Sequence, residues 1–173
     1  FSLHPFLSTL WVCGCVFLSS LWDFGGYSPH MATLLLEDKV IQNAKAMTAI
    51  DLTKYYAYTL DGSGIGVPYS YSTWSYVNLV WNIWKQIGKQ IELFDEVVRL
   101  VMENEKLQSK LNGLIDYGVQ NNLLEMRSTG WEHFVVSPNA ERAWCLERLA
   151  DMGETIGYNI AIINQWRKMA FEI

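Results

Sequence analysis

The sequence predicts an all-α protein: an N-terminal transmembrane helix followed by an elongated helical bundle with one long helix. Three observations carry this. Val77, Val80, Trp84, Ile87, Ile91, Phe94, Val98 and Val101 step by three and four residues without a miss, which is a heptad seam. Phe6–Trp22 is solidly apolar. Charged residues make up only 18% of the chain against 50% apolar, a low share for a freely soluble domain.

The first 24 residues form the expected anchor. With Ser2, Leu3 and Phe24 the apolar run reaches the roughly 20 residues that a helix needs to cross a bilayer. Trp11 and Trp22 flank its middle as interfacial anchors. Two other readings compete, a signal peptide and a core helix buried in a larger assembly. The signal peptide lacks a Lys or Arg n-region. Met31-Ala32-Thr33 has the look of a translation start, so the first 30 residues also read as a separate leader.

Residues 25–32 form a linker, in which Gly25, Gly26 and Pro29 mark a hinge. A first bundle helix is expected over 33–60, with Thr33 as cap and Glu37 and Asp38 at its positive end. Leu36, Val40, Ala44, Met47 and Ile50 make its stripe. Asp61–Pro68 then ends it. Its alternating glycines lack the Lys-Ser/Thr of a phosphate-binding loop, and a helix pattern stands where a strand would precede a dinucleotide loop. It reads as a turn.

Tyr69, Tyr71, Trp74 and Trp81 follow, with Lys85 one turn on. Rings followed by ammonium groups resemble a membrane-interface belt, while the plainer role for Trp81 and Trp84 is to widen a core. The long helix is expected over 74–117; the stretch from Trp74 to Ile115, about 42 residues, would extend ~63 Å as a helix. Its stripe shifts register after Val101, because the next seam positions are Glu105 and Gln108. Asp95–Arg99 and Glu103–Lys106 have the spacing of surface ion pairs. A last helix over 138–170 opens at Ser137-Pro138. Gly153, Gly157 and Ala161 lie four apart on it as a small-residue ridge for close helix packing.

Chemistry-bearing motifs are sparse. None of His4, His30 and His133 pairs with Cys or carboxylate at a metal-ligand spacing, so no metal site is expected. Cys13 and Cys15 lie in the apolar run, and with Cys145 they make no disulfide framework. Neither a nucleophile elbow nor a cofactor fingerprint occurs, so neither catalytic nor cofactor-binding residues are expected, and the chain reads as no enzyme. A net charge of −5 argues against nucleic acid as a partner. The expected role is a non-catalytic structural or accessory subunit of a single-pass kind in a membrane complex. Energy-converting membranes, the mitochondrial inner membrane among them, are the expected setting. Partner subunits would pack on the long and C-terminal helices, and lipid on the anchor. The alternatives are a self-assembling structural protein such as a virion component, or a soluble helical binding module with a removable leader.

Overall fold

The computed structural model describes residues 37–48, 51–52, 57–58, 64–65, 70–107, 110–117 and 133–173. The expected anchor at 1–24 and the linker at 25–32 lie outside the described residues. Among the described residues no helix is long and apolar enough to cross a membrane. The described architecture is mostly helical: α1 (Glu37–Met47), α2 (Ser70–Gln86), α3 (Ile91–Leu107), α4 (Val136–Thr155) and α5 (Ile160–Phe171). Two antiparallel ribbons interrupt it, β1 (Ala57–Tyr58) with β2 (Gly64–Ile65) and β3 (Lys110–Leu111) with β4 (Leu114–Ile115).

α1 begins with Glu37 and Asp38, whose charges favour the positive end of the helix dipole, and buries Val40, Ala44 and Met47. It stops at Met47, well short of residue 60. The Tyr76 hydroxyl donates to Ala44 O (3.2 Å) and joins α1 to α2. Lys45 reaches Glu92 at the start of α3.

The long helix expected over 74–117 is two helices and a hairpin. α2 closes where the N–H groups of Ile87 and Gly88 both donate to Ile83 O. Gly88 then takes φ +126°, a conformation that residues with a Cβ rarely adopt, and the chain turns back. The heptad seam continues across this break because both helices face the same core. Val77, Val80 and Trp84 on α2, and Phe94 and Val101 on α3, are buried, together with Leu93, Val97 and Leu100. Ile87 and Val98 pack at the core's margin, whereas Ile91 is half exposed at the start of α3.

The second departure is at Asn112 (φ 52°) and Gly113 (φ 83°). Two consecutive left-handed residues make a tight turn whose twist matches paired strands, so Leu111 and Leu114 face each other across a hairpin. The carbonyl of Glu172 lies where a side chain on Gly113 would go, so the hairpin turn and the C-terminus touch.

The last helix also divides. α4 begins at Val136 with Val135 as its cap residue, so Ser137 is not the cap. It ends in a two-bond cap in which Tyr158 N–H donates to Gly153 O (2.9 Å) and Gly157 N–H to Glu154 O (3.2 Å). Asn159 then caps α5, its side chain accepting from Ala161 N–H at 2.9 Å. α5 folds back along α4, burying Ile163, Trp166 and Ala170. Arg167 reinforces the pairing through Glu147 (2.8 Å), Asp151 (3.2 Å) and Glu154 (2.8 Å). The small-residue ridge is therefore not one surface. Gly153 is buried, with Tyr158, Ile163 and Trp166 within 3.4 Å of where its Cβ would sit, while Gly157 (φ 69°) is in the turn and Ala161 is exposed.

The two turn glycines make separable demands. Gly88→Ala meets no neighbour and suffers from backbone strain alone, about 1–3 kcal/mol. Gly113→Ala adds overlap with the Glu172 backbone and should destabilise more. Urea denaturation of both variants checks the order; equal stability of Gly88→Ala and the parent would contradict the break at Gly88.

Candidate functional site

The described residues carry one buried group of charges, where α3, α4 and the β3–β4 hairpin meet. Glu105 sits on the third-last residue of α3 and is 8% exposed. Arg142, in the second turn of α4, clasps it with two parallel bonds: Nε to Oε1 (2.7 Å) and Nη2 to Oε2 (2.9 Å). Nη1 of the same guanidinium donates to Asn139 Oδ1 (2.7 Å) and to Gly113 O in the hairpin turn (3.2 Å).

Asn139, one turn earlier on α4, acts toward β4 as a neighbouring strand would. Its Oδ1 accepts from Ile115 N–H (2.8 Å), and its Nδ2 donates to Ile115 O (3.2 Å) and to Val135 O (2.8 Å). A two-residue strand beside a helix thereby has both polar groups of Ile115 satisfied. Tyr117 N–H donates to His133 O (2.8 Å), and the His133 ring lies 2.9 Å from Asp116, an exposed pair.

Beside the ion pair is a small cavity, open to solvent, with room for about one water molecule. Thr73 and Trp74 of α2, Asn104 and Glu105 of α3, and Glu141 and Cys145 of α4 line it. Burial pushes the Glu141 carboxyl up to about 7. The Cys145 thiol, buried and beside carboxylates, is pushed well up and stays protonated, the opposite of what an activated nucleophile needs. A cavity of this size takes a water, not a substrate.

From Trp74 the site continues along the groove between α2 and α4. Trp74 and Trp144 lie 6.1 Å apart, and the Arg148 guanidinium is over both Trp144 (5.6 Å) and Trp81 (5.2 Å). Lys85 covers Trp81 as well, at 5.3 Å. Cations and rings in this order attract one another through the ring quadrupole. Three of the residues expected at a membrane interface, Trp74, Trp81 and Lys85, are thus gathered here, engaged with α4. Trp11, Trp22 and Tyr69 lie outside the described residues, as does the side chain of Tyr71.

Large apolar side chains are exposed at both ends of the bundle: Ile91 (50%) and Ile160 (63%) at the end of the Gly88 turn, and a larger group at the end that the ion pair organises. Leu111 (58%) is on β3, Val136 (81%) opens α4, and Phe171 (92%) ends α5 beside the Gly113 turn. Among the described residues no three His, Cys, Asp or Glu side chains converge on a metal-sized point.

Sequence reasoning did not find Glu105, Asn139, Glu141, Arg142, Trp144 or Arg148. One signal was present: Glu105 is where the apolar stripe loses its register. Arg99, expected to pair with Asp95, bonds Glu96 and Glu103 instead. Comparison with protein-family models, with curated proteins and with solved structures gave no match.

The ion pair makes a sharp energetic prediction. Arg142→Met should cost about 3–5 kcal/mol, because Glu105 is left buried without its cation. Replacing both partners, Glu105→Leu with Arg142→Met, should cost less than Arg142→Met alone. Urea unfolding of the three variants tests this; additive losses would mean that the two residues do not depend on each other.

Proposed function

We propose that the chain is a non-catalytic structural or accessory subunit of a multi-subunit membrane complex, of the energy-converting kind. The apolar segment Phe6–Trp22 would anchor it, and the end of the bundle built from the hairpin, the start of α4 and the C-terminus would receive a partner subunit. The observation that carries this reading is the exposure of Leu111, Val136 and Phe171 on elements tied together by the Glu105–Arg142 pair. Leaving apolar side chains of that size in water is unfavourable, and covering them with a partner lowers the free energy by about 25 cal/mol per Å² covered. The polar junction beneath them sets how the hairpin and the start of α4 are presented, which fits a docking surface.

Carbonate extraction of the native membrane fraction, then detergent release and native-gel sizing, tests the proposal. The parent chain should remain in the pellet and migrate with a larger heteromeric complex. Val136→Glu with Phe171→Glu should keep the circular dichroism of the parent, since both side chains are exposed, and lose at least tenfold of the complex-bound fraction. Release by carbonate, or migration as multiples of the chain itself, would overturn the proposal in favour of self-assembly.

A further inference from the structure

Glu141 is the carboxylate that the polar junction leaves out. It lies in the second turn of α4 and faces the cavity, with Thr73 and Trp74 of α2 and Asn104 and Glu105 of α3 on the other walls. Arg142 and Cys145 flank it on α4, and the Tyr117 phenol beyond β4 is close enough to feel its charge. Of these groups only Arg142 is cationic, and its Nε and Nη2 are held by Glu105 while Nη1 is held by Asn139 and Gly113. Partial burial alone raises the Glu141 carboxyl, with no opposing attraction from a cation among the described residues. When ionised it places a second negative charge in a cavity where, among the described lining residues, the cation is Arg142, bonded to Glu105.

The same two turns of α4 carry Asn139 and Arg142, which hold β4 and the hairpin turn in place. We propose that Glu141 is a proton-operated latch: protonated, it lets the first turns of α4 seat against α2 and α3, and ionised, it favours their release together with the β3–β4 hairpin. The consequence, pH control over the end that presents Leu111, Val136 and Phe171, rests on the docking role proposed above; the latch itself does not.

The direction follows from linkage. In the seated state the carboxyl titrates near 7 against an ordinary 4.5. Below 4.5 both states are protonated and release gains nothing from pH. Between these values the released state loses its proton first, so release grows easier as pH rises, and the gain levels off above about 7. The release equilibrium should rise about tenfold between pH 6 and pH 8.

Amide hydrogen exchange on the full chain, expressed as protection relative to the unstructured rate at each pH, reads this directly. Protection over residues 140–146 should fall about tenfold from pH 6 to pH 8. Glu141→Gln keeps the shape without the charge, and its protection should hold constant across that range, about thirtyfold above that of the parent at pH 6. A parallel fall in both proteins, or a flat profile in the parent, would overturn the latch. The carbon-13 shift of the Glu141 carboxyl in the unaltered chain provides a second reading: a midpoint near 7 is expected, and one near 4.5 refutes the proposal whatever the variant does. Loss of complex assembly in the Val136 and Phe171 variants bears on the docking role alone.

Discussion

Burying Glu105 against Arg142 constrains everything around it. Removing two charges from water costs several kcal/mol per ion, and only close geometry with every remaining donor satisfied offsets that. The guanidinium has donors to spare after its two bonds to Glu105, so Asn139 and the hairpin carbonyl of Gly113 must be within reach. Asn139 in turn needs partners of its own, which it finds in both polar groups of Ile115 and in Val135 O. The hairpin is thus held at the bundle by polar demand as much as by burial of Ile115 against Tyr117 and Val135. Apolar packing alone would let two short strands slide; a network with one good arrangement does not.

This arrangement leaves the bundle with two unlike regions. Along the middle, the core is ordinary: aliphatic side chains of α2, α3 and α4, with Phe94 meeting Tyr158 edge-on and Tyr158 stacked on Trp166 of α5. At the end, charge is buried while apolar side chains face outward, the reverse of the usual distribution. An inverted arrangement of this kind is costly for an isolated domain, and it is the physical ground for reading this end as a surface made to be covered.

Much of the helical architecture was legible in the sequence. Val77 to Val101 repeats with helical period on both sides of Gly88, so periodicity identified which faces meet the core even though it merged two helices into one. Periodicity is blind to a turn that preserves register, and Gly88 was the only mark of it. Asn112-Gly113 between Leu111 and Leu114 is a strong hairpin signal that the stripe of neighbouring leucines concealed. Gly157 likewise passed for a member of a packing ridge because three small residues spaced by four suit a helix and a helix end equally well.

The polar junction was harder to see. Glu105 broke the apolar stripe, but an acid at a seam position reads as the stripe's end until its cation is known, and Arg142 is far away in sequence. Trp81 and Lys85 suggested an interfacial belt because rings beside cations look alike whether the cation is one turn away or on another helix. The placement of Arg148 between Trp81 and Trp144 adds a cation from another helix that the spacing of Trp81 and Lys85 did not reveal. The anchor, by contrast, was read from hydropathy alone, and it belongs with the membrane-subunit proposal.

Site-specific photo-crosslinking in the native membrane tests the central claim most directly, that the end organised by Glu105 and Arg142 is a partner's seat. A photoreactive phenylalanine analogue at Phe171 should capture a different protein, and the same probe at Asn164, exposed midway along α5, should capture far less. Capture from position 164 but not from 171, or adducts only with second copies of this chain, would contradict the account.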